Sequence, residues 1–255
     1  MNGAVTTRTN ILITGASSGL GEGMARLFAE RGRNLALTAR RADRLEALAD
    51  ELRAKHPDIT IVTKELDVND HDRVGDVFRD CDVALGGLDR IIVNAGLGKG
   101  ALVGSGRFDV NRDTVTTNFV GALAQCEAAM ELFYAADAGH LVLMSSIQAV
   151  RGMPRGMTAY AASKAGVAAL AEGIRADCLD KPIKVTTLMP GYIESEMTAR
   201  LKQKPRLMVD TTTGCRALVA AIEREVDTTI VPAWPWKPIG FALRRLPLRA
   251  VRRMV

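Results

Sequence analysis

Asn10-Ile-Leu-Ile-Thr-Gly-Ala-Ser-Ser-Gly-Leu-Gly21 decides the fold. Its first five residues are an apolar run of strand length, and the segment from about Gly19 to Arg31 has helical periodicity. Between them Gly15, Gly19 and Gly21 stand in a GxxxGxG spacing. Glycine lets the chain turn tightly and approach a bound group with no Cβ in the way. The start of the helix then offers unpaired N–H groups and the positive end of its dipole. With Ser17, Ser18 and Leu20 completing the turn, the segment reads as a cradle for the pyrophosphate of a dinucleotide. The same residues also satisfy GxSxG through Gly15, Ser17 and Gly19, the nucleophile elbow of serine hydrolases. That reading fails on order, because one strand precedes the turn where an elbow follows several, and no histidine lies late in the chain to act as base.

Outward from this turn the pattern repeats. Short apolar runs at Leu35–Ala39, Ile59–Lys64 and Arg90–Asn94 alternate with amphipathic stretches at about Ala42–Lys55 and Asp70–Val83. The second half continues with a long helix from about Arg112 to Ala136, a strand at His140–Ser145, a helix at about Thr158–Leu179 and a strand at Lys184–Met189. Continuous apolar strands alternating with helices predict a parallel sheet covered on both faces. Right-handed crossovers make it a doubly wound α/β sheet of Rossmann type. No repeat, low-complexity linker or composition shift marks a second unit, so residues 1–255 are expected to form a single domain, with a core over 10–232 and an extension over 233–255.

Composition narrows the class. With 47% hydrophobic and 25% charged residues in 255, the chain is neither disordered nor fibrous. No apolar stretch approaches the roughly 18 residues that cross a bilayer. The N-terminus lacks the apolar block of a secretory signal, and the four cysteines are scattered with no CxxC pair, which points to reduced thiols and a cytoplasmic location. His56, His71 and His140 are not spaced to clamp a metal, and none is expected. The net charge of +5 belongs to the tail: Lys237–Val255 carries six basic residues and no acid, leaving 28 basic against 29 acidic residues elsewhere. A body without positive charge argues against nucleic acid. The tail also holds both tryptophans, Trp234 and Trp236, among leucines, valines and Phe241. This is the composition of a segment lying on an anionic membrane, at the inner face of a cell membrane for a cytoplasmic protein. The competing expectation is that it packs on a sister subunit or roofs a pocket.

Two further features carry chemistry. At the end of the second strand, where an acid would bind a ribose 2′-hydroxyl, the chain has Arg40 and Arg41. Two guanidinium groups suit a 2′-phosphate, favouring NADP(H) over NAD(H), while Arg44 reads as a solvated helix residue. Tyr160 and Lys164 stand four apart on one helix face, where an ammonium can lower a phenol's pKa and fit it for proton transfer at a carbonyl or alcohol oxygen.

Taken with Asn94-Ala95-Gly96, Asn118, Ser145-Ser146 and Pro190-Gly191 in this order, the sequence resembles the short-chain dehydrogenase/reductase family over about residues 10–232. The resemblance implies that Tyr160 gives and takes the proton, that Lys164 binds the nicotinamide ribose and tunes Tyr160, and that Ser146 polarises the substrate oxygen, with Ser145 as the alternative. Ser146 precedes Tyr160 by 14 residues, one more than is usual, so the loop Arg151–Gly156 holds an extra residue. Asn118 is implied to hold a water of the proton relay. Asn94, Ala95 and Gly96 would border the cofactor, Asp67 and Val68 the adenine, and Pro190, Gly191, Tyr192, Ile193 and Ser195 the nicotinamide and phosphates. The lid over about 192–210, with Met197, Leu201, Leu207 and Met208 beside Lys202, Lys204 and Arg206, suits an apolar carbonyl or alcohol substrate. The implied protein is an NADP(H)-dependent oxidoreductase that forms a homodimer or homotetramer through its long helices. A cofactor-binding sensor without turnover is the alternative.

Overall fold

The computed structural model describes residues 7–199 and 207–254. Seven parallel strands form one sheet in the order β3-β2-β1-β4-β5-β6-β7. They are β1 (Asn10–Thr14), β2 (Asn34–Ala39), β3 (Ile61–Glu65), β4 (Arg90–Val93), β5 (Gly139–Met144), β6 (Ile183–Pro190) and β7 (Thr228–Val231). The chain winds from β1 outward to β3, then returns to place β4 beside β1, in register Ile11 to Arg90. That reversal is the topological switch of a doubly wound sheet, where ligands bind beyond the strand ends.

Alternation along each strand feeds two cores. Ile11, Ile13, Ile92, Val142 and Met144 face one side, which is closed by α1 (Gly19–Ala29), α2 (Ala42–Lys55) and α8 (Thr211–Glu223). Leu12, Ile91, Val93, Leu141 and Leu143 face the other, beneath α3 (His71–Leu85), α5 (Gly121–Ala136) and α6 (Thr158–Asp177). Both faces of the central strands are thus out of water, which is why they read as unbroken apolar runs.

The expected helix from about Arg112 differs in its first half. It starts as α4 (Phe108–Val115), passes through a π-helical turn at Thr116–Val120 and continues as α5. A π turn inserts an extra residue into the helical register and often marks a functional position. Here it carries Asn118, buried at 1% exposure.

The extension is helical. After β7 come α9 (Ala233–Arg245) and α10 (Leu248–Met254), while the short α7 (Glu196–Ala199) follows β6. Leu243 and Val251 pack with Met153 and Ala161 in a third apolar cluster. Arg151, in the loop with the extra residue, donates to the carbonyl of Leu243 at 2.6 Å and to that of Leu246. The loop is therefore a docking point for α9, whose inner face packs behind a cleft residue: Trp236 is 5% exposed and meets Tyr192 edge to face at 5.4 Å.

A polar clip holds the switch point. The Thr14 hydroxyl accepts from the backbone N–H of Asn94 at 3.0 Å and of Ala95 at 3.1 Å, and the Asn94 amide donates to the Thr14 carbonyl at 2.8 Å. Thr14→Val keeps the shape but strands two backbone donors, and should cost about 1–2 kcal/mol in urea unfolding. A loss below about 0.5 kcal/mol would show the clip to be dispensable.

Candidate active site

A cleft opens above the C-terminal ends of β1, β4, β5 and β6. Among the described residues, those expected to face cofactor or substrate line it, except Gly21, Asn118 and the lid residues Leu207 and Met208. Gly21 acts from behind: a Cβ there would come 2.4 Å from the Gly15 carbonyl oxygen. Asn118 accepts from the Leu97 N–H at 2.7 Å and donates to the Leu97 carbonyl at 2.9 Å. Its amide also donates to the Ser163 hydroxyl at 3.4 Å, so it joins the loop after β4 to α6.

The glycine turn fits a dinucleotide. Gly15 and Gly19 take φ of +65° and +58°, and a Cβ on Gly15 would lie 2.9 Å from Ala95 Cα. Ser18 heads α1 without a side-chain cap, so no side chain occupies the first-turn amides. Its hydroxyl accepts instead from Arg41, at 2.6 Å, and Ser17 accepts from the same guanidinium at 3.2 Å. Arg40 lines the cleft too, but is 63% exposed at its side chain and stands 3.8 Å from Asp67.

At the other end, α6 and the end of β5 bring the reacting groups together. Strand alternation separates the two serines. Ser145 turns inward and donates to the Lys164 carbonyl at 2.7 Å, whereas Ser146 turns to the cleft, accepts from the Gln148 N–H at 3.1 Å and stands near enough to the Tyr160 phenol to favour its ionised form. Burial raises the Tyr160 pKa above its ordinary value, with Ser146 opposing and Tyr192 adding to the rise. Lys164 is not among the groups that shift the phenol, so the lowering expected from its ammonium is not seen here. Lys164 is itself buried, which pulls its ammonium down to about 8, and Nζ donates to the Met144 carbonyl at 2.8 Å.

Three features escaped the sequence reading. Glu196 pairs with Arg41 at 3.0 Å and with Arg44, an exposed residue of α2 as expected whose ion pair the sequence did not show. Gln148 donates to the Tyr192 hydroxyl at 3.1 Å, stiffening the substrate rim. Gly191 is needed because a Cβ would strike the Trp236 ring at 2.4 Å. Of the expected lid residues, Leu201, Lys202, Lys204 and Arg206 lie outside the described residues.

A sequence profile of the short chain dehydrogenase family matches residues 9–206. The chain belongs to that family of oxidoreductases. An uncharacterized oxidoreductase of Mycobacterium tuberculosis is 56% identical over 97% of both chains. One from Myxococcus xanthus is 38% identical over 74% of this chain and 73% of its own. Among solved structures, a short-chain dehydrogenase from Sphingobium yanoikuyae in complex with NADPH is similar, with a TM-score of 0.80 and 26% identity, covering 92% of this chain and 94% of that one.

For this short-chain dehydrogenase, the two serines should separate by experiment. Ser146→Ala should lower oxidoreductase turnover about 10²-fold. Ser145→Ala should instead cost about 1 kcal/mol of stability and leave turnover within a few-fold. The opposite pattern would exchange their roles.

Proposed function

We propose that the protein interconverts a ketone or aldehyde and the corresponding alcohol, using NADP(H), on an apolar substrate. The observation that carries this reading is the burial of Tyr160, Ser146 and Lys164 around one point of the cleft, with Ser146 against the phenol. Bound at this wall, a nicotinamide would supply or accept the hydride. Tyr160 gives its proton to the carbonyl oxygen in reduction and takes it back in oxidation. Ser146 orients that oxygen, and the Lys164 ammonium stabilises the phenolate that forms. Asn118 fixes Leu97 and keeps Gly96 close to Lys164, where a Cβ would lie 3.4 Å from Nζ. Arg40 and Arg41, with no acid at the end of β2, favour the 2′-phosphorylated cofactor, in line with the NADPH complex of the Sphingobium relative.

The rim residues Ile147, Met157, Tyr192 and Met197 give the substrate end an apolar wall. Residues 10–232 and the extension act as one unit, since Trp236 packs against Tyr192 and Gly191 of the rim. Assembly into a homodimer or homotetramer is supported by Val115, Val120, Leu123 and Tyr134, which α4, the π turn and α5 leave exposed.

A panel of ketones and aldehydes graded by chain length, given with NADPH or NADH, tests the reading. Tyr160→Phe should lose at least about 10²-fold in turnover. Lys164 is charged below about pH 8 and neutral above it, so kcat/KM for the reduced cofactor should fall as pH rises through about 8. Lys164→Arg should move that fall upward. A profile flat to pH 10 would remove Lys164 from the mechanism. Tight NADPH binding without turnover across the panel would favour the sensor.

The outer face of α9 and α10 supports a cytosolic protein that gathers substrate at an anionic lipid surface. No helix among the described residues is long and apolar enough to cross a membrane. Trp234, Phe241 and Leu248 recur every seven residues and are 80%, 61% and 67% exposed. The six basic residues of the tail are exposed beside them, and none makes an ion pair among the described residues. Trp236, Leu243 and Val251 face the protein, which divides the tail between a roofing face and a lipid face. The intact protein should sediment with vesicles of anionic lipid at low salt and be released at about 0.5 M salt. Its presence in the supernatant at low salt would overturn the lipid face.

A further inference from the structure

The arginine end of the cleft contains a contact with no part in the chemistry above. Glu196 opens α7, beyond the end of β6, and its carboxylate reaches back to two guanidinium groups of the segment after β2. Arg41 meets it at 3.0 Å while also donating to Ser17 and Ser18, and Arg44 meets its other oxygen. Ser17, Ser18, Arg40, Arg41 and Glu196 line one stretch of the wall, so the carboxylate faces the space open to a ligand. Arg44 first, then Arg41, holds the Glu196 carboxyl down at about 2, and the group is ionised throughout the neutral range.

We propose that Glu196 sets the preference between phosphorylated and unphosphorylated adenosine ligands, by competing with a ligand phosphate for Arg41 and Arg44. The proposal rests on the reading of the cleft as a dinucleotide site. A phosphate monoester and a carboxylate both fit the guanidinium fork, and the phosphate brings close to two negative charges. A ligand bearing a 2′-phosphate must displace Glu196 or lie against its charge. A ligand with a free 2′-hydroxyl leaves the pairing undisturbed. Glu196 therefore weakens binding of the phosphorylated ligand selectively, and narrows the preference that Arg40 and Arg41 would otherwise impose. At the same time it ties the short helix α7 to α2 when no phosphate is present.

Calorimetric titration of the full chain with adenosine 2′,5′-bisphosphate and with ADP tests this, alongside thermal unfolding to confirm that the variant folds. Glu196→Gln keeps the size of the side chain and removes its charge. The variant should bind the 2′,5′-bisphosphate about fivefold tighter or better, with ADP changed less than about twofold. The gain should shrink at about 0.5 M salt, since the competing pair is exposed. Equal tightening or equal weakening of both ligands would make Glu196 only an anchor for α7 and overturn the proposal, leaving the cofactor reading intact. Failure of both nucleotides to bind the wild type would overturn the cofactor reading and the proposal with it.

Discussion

The site depends on the reversal of strand order between β1 and β4. Two parallel strands that part in opposite directions leave a crevice above their ends, and nothing in the strand ladder closes it. Thr14 and Asn94 close its floor with side-chain and backbone hydrogen bonds at 2.8–3.1 Å. The same bonds fix Gly15 against Ala95, so the glycine turn and the loop after β4 form one wall. Without that closure, the amides of α1 and the side chains of α6 would have no fixed separation.

The reacting end is built from the strand period and the helix period together. β5 finishes at Met144, and the next two residues point to opposite sides. One hydroxyl is spent on the backbone of α6 and the other is offered to the phenol. The four-residue step of α6 then sets Lys164 one turn beyond Tyr160, where it finds the Met144 carbonyl. A buried ammonium needs such an acceptor, because leaving it unpaired in a poorly solvated site is expensive. The Met144 carbonyl, the last of its strand, is thus the partner of the buried Lys164 ammonium.

Much of this could be read from the chain. The buried parallel strands show themselves as apolar runs, and Gly15, Gly19 and Gly21 locate the cradle because no other residue tolerates those approaches. β7 could not be seen: Thr228 is exposed and the two residues after it are half-buried, so this short edge strand carries no apolar run. The π turn leaves no mark, since it is a change of backbone register made with ordinary residues. The Glu196–Arg44 pair joins positions 152 residues apart, and each reads as an exposed helix charge until the fold is known. Spacing along α6 predicts that Lys164 neighbours Tyr160, but it is silent on desolvation, which here governs the phenol. For the tail, Trp236 and Trp234 look alike in sequence while one is buried and the other exposed.

Gly191 has no side chain because the ring of Trp236 occupies the space one would need. The wall on which the chemistry relies is therefore shared with an element added after the sheet is complete. Proton transfer depends on α6 and β5, whereas the shape of the substrate rim depends partly on α9. Those two properties can vary separately. A change at Trp236 would act on the rim through Tyr192 and Gly191, at a distance from Tyr160, Ser146 and Lys164, so the extension is where a chain of this design can vary its substrate rim without rebuilding its catalyst.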